Sequence, residues 1–163
     1  AGAIGLLAAL LLHSYGCRDL RLAETNPLRR NSAENAGGFA TYDPLRDSGP
    51  PESSMDLVID AVGSKATRNA AFAAAKPGSV IMHIGLADRA SEIDMRKLTT
   101  AAITLLGTYT YTTADLRAAA RGLYERGFGD LAWVEERPLA EGARAFADLH
   151  AGRSAAAKIV LRP

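Results

Sequence analysis

AGAIGLLAALLLHSYG, Ala1–Gly16, decides the reading of this 163-residue chain. From Ile4 to Tyr15 the stretch is almost unbroken Leu and Ala, which predicts a buried helix. Gly16 stands where a helix C-terminal cap belongs. Gly2 and Gly5 stand at the front, three residues apart. That is the spacing of the second and third glycines in a G-x-G-x-x-G turn between a strand and a helix. The first glycine and its strand would precede Ala1. A glycine at position 2 removes the side chain that would block a pyrophosphate. The helix start at Ala3–Gly5 offers free amides and the positive end of the helix dipole. In the plainer reading Gly5 only lets a helix and a strand pack closely, and the stretch alone leaves both open.

DLRLAE (Asp19–Glu24) reads as a short strand with Leu20 and Leu22 on one face. Glu24 lies near the ~20-residue separation between a glycine turn and a ribose-binding acid. A carboxylate there can accept hydrogen bonds from both ribose hydroxyls, and its charge repels a 2′-phosphate, which favours NAD over NADP. Arg29 and Arg30 pull the other way, because a guanidinium near the ribose can take a phosphate. Surface charge is the competing reading of Glu24.

Pro27 suits the first turn of a second helix and Gly37–Gly38 its end. FATYD (Phe39–Asp43) is a weak strand and Pro44–Ser54 a surface loop. MDLVIDAVG (Met55–Gly63) is the clearest strand. A helix over Lys65–Ala75, a turn at Lys76–Gly78 and a strand over Ser79–Gly85 follow. Then come a helix over Met95–Thr100, a strand over Ile103–Tyr109, helices over Ala114–Arg126 and Leu139–His150, and a last strand over Lys158–Leu161. Strands alternate with helices throughout, and several strands are continuous apolar runs. This predicts an α/β protein with a Rossmann-like, doubly wound, mostly parallel sheet whose first strand is missing from the chain.

The length suits one domain with one sizeable core. The formal charge of +1 gives no basic field for nucleic acid. The single cysteine, Cys17, forms no internal disulfide and fits a reducing cytoplasm. Ile4–Leu12 is too short to span a bilayer and lacks the flanks of a signal peptide.

Six stretches together carry a resemblance: AGAIGLLAALLL, AETNPLRR, DLVIDAVGS, AAFAAAKPGSVIMHIGL, ITLLGTYTYT and PLAEGARAFADLHAGRSAAAKIVLRP. In this order they resemble the cofactor-binding portion of the medium-chain dehydrogenase/reductase family, the zinc-type alcohol and polyol dehydrogenases. The resemblance implies that Gly2, Ala3, Ile4 and Gly5 receive the pyrophosphate of NAD, that Glu24 holds the adenosine ribose, and that Arg29 lies near the adenine. It implies that Ala61, Val62 and Gly63 line the cofactor, that Ile84, Gly85 and Leu86 touch its nicotinamide half, and that Gly107, Thr108 and Tyr109 offer backbone groups to the carboxamide. Residues 1–135 would form the dinucleotide-binding domain, and residues 136–163 would return to a catalytic domain outside this chain.

The family's catalytic zinc sits in that other domain, so neither a catalytic nor a metal-binding residue is expected here. His13, His83 and His150 have no Glu following them, and Cys17 stands alone. The strand near Ile103–Tyr109 would pair with its copy in a homodimer or tetramer. The substrate of the whole protein would be a secondary alcohol or polyol, with no nucleic-acid or membrane partner. SAAAKIVL departs from the family's usual Gly before the Lys.

Removing the first strand of a doubly wound sheet would leave backbone unpaired on both flanks, so that strand is expected elsewhere, and Leu20–Glu24 is not expected to pair with Leu57–Asp60. His83 reads as a core or sheet-edge histidine, His13 likewise, and His150 as a cation near a helix C-terminus. Asp56 and Asp60 would lie ~13 Å apart along a strand, too far for shared-proton chemistry. Trp133, Tyr109 and Tyr111 read as core or interface residues. No Tyr-x-x-x-Lys, G-x-S-x-G or G-x-x-x-x-G-K-[ST] motif is present. Two other functions remain open: an S-adenosylmethionine-dependent methyltransferase, which also pairs a glycine turn with a ribose acid, and a non-catalytic nucleotide-binding or dimerisation module.

Overall fold

A computed structural model describes residues 1–125, 127–129 and 131–163. The chain divides into two compact units, residues 1–49 with 113–163 and residues 50–112. The boundary expected at 135 falls inside a strand of the first unit. The single core expected from length is divided as well, because each unit covers its own small sheets.

In the first unit α1 (Ala3–Ser14) leads to β1 (Arg21–Ala23), α2 (Pro27–Gly37) and β2 (Ala40–Tyr42). Gly16 takes φ +94 just past the end of α1. At α2 the Asn26 side chain caps the first turn, Pro27 opens the helix and Gly38 closes it in the left-handed region. β1 and β2 pair in parallel, Leu22 opposite Thr41. Leu6, Ala9, Leu10, Leu22, Ala33, Phe39 and Trp133 form the buried cluster.

The same unit contains α5 (Thr113–Tyr124), β6 (Val134–Pro138), a 3-10 turn (Leu139–Glu141), α6 (Gly142–His150) and β7 (Lys158–Arg162). α5 begins one residue before the expected helix, whose end at Arg126 lies outside the described residues. β6, with the charged sequence VEERP, is a strand that the sequence reading does not include. It pairs in parallel with β7, and its charges find partners. Arg137 bonds Glu135 and Asp148, and Glu136 bonds Arg162.

The second unit holds β3 (Met55–Asp60), α3 (Lys65–Ala74), β4 (Ala75–His83), α4 (Met95–Thr100) and β5 (Thr104–Gly107). The order is β3-β4-β5, all parallel. Ser64 and Thr67 close a reciprocal capping box on α3, and Asp94 caps α4. The expected turn at Lys76–Gly78 lies within β4. It survives there as an irregularity: Met55 pairs with Ala75 but Leu57 with Val80, and Gly78 takes φ +77. The core is Ala71, Phe72, Ala75, Ile81 and Ile103. Every ladder is parallel, and β1 and β3 belong to different sheets.

Candidate functional site

One candidate site lies in the first unit, at the mouth of α1. Gly2 is its N-cap in extended conformation, and no side chain bonds the first turn. The first intrahelical bond runs from the Leu6 amide to the Gly2 carbonyl at 2.9 Å. A Cβ on Gly2 would meet nothing within 4 Å. Among the described residues no side chain caps the front of α1, whereas α2, α3 and α4 are capped by side chains at their own N-caps. An anion can be held there by the amides and the helix dipole.

Glu24, just past β1, reaches this mouth. Its Oε1 accepts from the Asn26 amide at 2.9 Å, and its Oε2 lies 3.0 Å from the Ala1 nitrogen. Burial pushes its carboxyl up, against which the Asn26 amide hydrogen bond and the nearby Arg29 charge act to lower it. Glu24 is therefore a fixed carboxylate, where the sequence left free surface charge as an alternative.

The two arginines after it have separate partners. Arg30 Nη1 donates to the carbonyls of Glu24 at 2.7 Å and Thr25 at 3.0 Å, and stands 3.5 Å from the buried Asp43 carboxylate. Arg29 Nη2 donates to the Leu149 carbonyl at 3.4 Å. Asn26 and Asp43 went unmarked in the sequence. Asn before Pro is an N-cap signal that could have flagged the first; the burial of Asp43 has no local signature.

The second unit presents three loops at the C-terminal ends of parallel strands. Asp60, at the end of β3, organises two of them. Its Oδ1 accepts from the Val62 amide at 3.1 Å and the Gly63 amide at 2.8 Å. Its Oδ2 accepts from Thr67 Oγ1 at 3.1 Å and faces His83 Nδ1 at 3.3 Å. Its carbonyl accepts from the Ile84 and Gly85 amides, both at 2.9 Å.

Gly63 and Gly85 interlock. A Cβ on Gly63, which has φ +74, would run into the Gly85 carbonyl, and a Cβ on Gly85 would run into the backbone of Val62 and Gly63. Ala87 and Asp88 amides then bond the Val62 and Gly63 carbonyls. These glycines are required by one loop's backbone lying against the other, a reason that holds with no ligand present. In the third loop the Thr108 amide bonds the His83 carbonyl. Ala61 is half-buried, Val62 and Leu86 are exposed, and Tyr109 is 80% exposed.

Other expected residues resolve as follows. His83 is the partner of Asp60, whereas Asp56 is exposed and pairs with Lys76. His13 makes an edge contact with Phe39, and His150 sits in the last turn of α6. Trp133 is buried in the first unit's core, but Tyr109 and Tyr111 are exposed and are not core residues. Among the described residues no group of three or more His, Cys, Asp or Glu side chains could hold a metal ion. No helix among them is long and apolar enough to cross a membrane.

Residues 3–125 match the family model described as zinc-binding dehydrogenase. No curated protein sequence matches the chain. Among solved structures, L-idonate 5-dehydrogenase from Escherichia coli is similar over 98% of this chain and 47% of its own, with TM-score 0.84 and 19% identity. Acetophenone reductase from Geotrichum candidum, in complex with NAD, is similar over 99% of this chain and 46% of its own, with TM-score 0.83 and 19% identity. An oxidoreductase from Salmonella enterica in complex with NADP gives 99% and 52%, TM-score 0.76 and 20% identity. The chain spans about half the length of these relatives. At such identities the likeness is one of fold, that of a Rossmann-like α/β domain.

Proposed function

Because the chain belongs to the zinc-binding dehydrogenase family, we propose that it is the cofactor-holding half of an NAD-linked alcohol or polyol dehydrogenase. The observation that carries this reading is the uncapped mouth of α1 beside the fixed Glu24 carboxylate. The amides of Ala3, Ile4 and Gly5 would take the pyrophosphate, with room left by Gly2. Glu24 would accept the two ribose hydroxyls and repel a 2′-phosphate. The commitment of Arg30 to backbone carbonyls and Asp43 supports NAD over NADP, since that guanidinium is already engaged. Arg29 would remain near the adenosine side.

In the same reading Ala61–Gly63, Ile84–Leu86 and Gly107–Tyr109 serve the nicotinamide half. NAD, when bound, supplies the hydride acceptor for a secondary alcohol. Zinc does not fit the donor set of the described residues. It would be held by a catalytic domain to which residues 136–163 return, and this chain alone would be inactive. Among the described residues β5 is paired on one side, with β4, and all four of its residues are exposed, which supports pairing with a second copy in a homodimer or tetramer. A cytoplasmic location and the lack of nucleic-acid or membrane partners belong to the same proposal. The methyltransferase alternative has no finding in its favour.

Glu24→Gln tests the reading. It removes the charge and a charge-assisted acceptor, so NAD affinity falls ~10-fold to 100-fold while NADP affinity holds or rises. Calorimetric titration of both cofactors reads the change, and an unaltered NAD to NADP ratio would refute the ribose assignment.

A further inference from the structure

We propose that Asn26 is a positioning residue for Glu24, and that the turn after α6 anchors it, making Leu149–Gly152 a supporting part of the adenosine-ribose site. This rests on the dinucleotide reading above.

Asn26 employs three polar groups at once. Its amide donates to Glu24 Oε1 at 2.9 Å, its Oδ1 accepts from the Leu28 amide at 2.9 Å, and its Nδ2 donates to the Gly152 carbonyl at 2.7 Å. The cap on α2 needs only an acceptor, which Ser or Asp supplies equally well. A side-chain donor alongside that acceptor is what Asn adds, and here the donor reaches 126 residues along the chain to Gly152.

The anchor is well defined. Gly152 sits at φ +67, its amide bonds the Leu149 carbonyl, and the Arg153 amide bonds the Asp148 carbonyl. Arg29, from the first turn of α2, adds its bond to the Leu149 carbonyl at 3.4 Å. Two donors from α2 thus meet the negative end of α6. Gly152 is constrained twice, by its left-handed backbone and because a Cβ would lie 3.0 Å from Asn26 Nδ2. Without the tie, the Glu24–Asn26 turn loses its side-chain link to Gly152, and the Asn26 amide that holds the carboxylate is free to shift.

The test compares the full chain with Asn26→Ser, Gly152→Ala and the double variant. NAD and NADP are titrated by calorimetry, each melting temperature is recorded, and the Glu24 carboxyl is followed by NMR in the unliganded protein. Asn26→Ser keeps the cap acceptor. It is expected to lose about tenfold in NAD affinity and much less in NADP affinity, because a wandering carboxylate also repels the 2′-phosphate less. Glu24 titrates higher in that variant. Gly152→Ala moves in the same direction, and the double variant is no weaker than the weaker single, since both break one bond. Should Gly152→Ala not fold, Asn26→Ser decides alone.

Equal losses for both cofactors, or an Asn26→Ser protein that binds NAD as the parent does, would overturn the proposal. A parent that takes up no NAD removes the dinucleotide reading and this inference together. A parent that binds while Asn26→Ser is unchanged removes this inference alone.

Discussion

Gly85→Ala lowers the unfolding free energy by ~3 kcal/mol or more, the upper end of what overpacking costs. The new Cβ would be driven into the backbone of Val62 and Gly63, and no rotamer of a neighbouring side chain can relieve that. The two loops must separate, which breaks the bonds from the Ala87 and Asp88 amides to the Val62 and Gly63 carbonyls. Two other glycines of the same unit serve as controls. Gly78 has φ +77 but nothing within 4 Å of a Cβ, so Gly78→Ala pays only for the backbone, about 1–2 kcal/mol. Gly107 has open space and no positive φ, so Gly107→Ala costs least. Urea denaturation of the three variants should reproduce that order, and a Gly85→Ala protein as stable as Gly107→Ala would show that the loops are not interlocked.

Asp60→Ala is expected to cost on the order of 3–5 kcal/mol, the range for removing one member of a buried charged network. It strands the Val62 and Gly63 amides and takes away the Asp60 partner of Thr67 Oγ1 and His83 Nδ1 at once. Asp60 is 5% exposed, so water cannot easily replace the lost acceptor. Asp60→Asn keeps an oxygen for the two amides and gives up only the Thr67 and His83 side, so it retains most of the stability. A domain stable by ~5–15 kcal/mol can lose a large part of its margin in the Ala variant. Chemical denaturation measures both, and equal losses for Ala and Asn would mean that the Oδ1 bonds contribute little.

How far the chain can be read without its fold depends on where each constraint comes from. α2 is legible because its signals are local: Pro27 at one end, Gly37–Gly38 at the other. α4 is legible for the same reason, through Asp94. The parallel sheet follows from apolar runs such as LVID and VIM, and Glu24 from its distance to Gly5. β6 is hidden because its ladder partner, β7, begins twenty residues after β6 ends and its charges are satisfied by residues as distant as Arg162. The Lys76–Gly78 turn signal is genuine but is absorbed as an irregularity in β4, because β3 continues to pair on both sides of it.

The site shows the same division. The glycines at 63 and 85 can be picked out by motif, yet the physical need for each is the backbone of the other. Asp60 and Asp43 look like ordinary carboxylates, and only their burial and their partners reveal them as anchors. Arg29 and Arg30 look equivalent in sequence. They separate because one turns to the end of α6 and the other to the end of β1.

The most direct measurement follows the backbone amide resonances of Ala3, Ile4 and Gly5 in the full chain while NAD is added. Uptake of the diphosphate at the uncapped front of α1 shifts all three together and saturably, with the Glu24 carboxyl shifting at the same midpoint. If NAD binds while those amides stay still, or if saturating NAD moves none of these groups, the account of α1 as the pyrophosphate site is wrong.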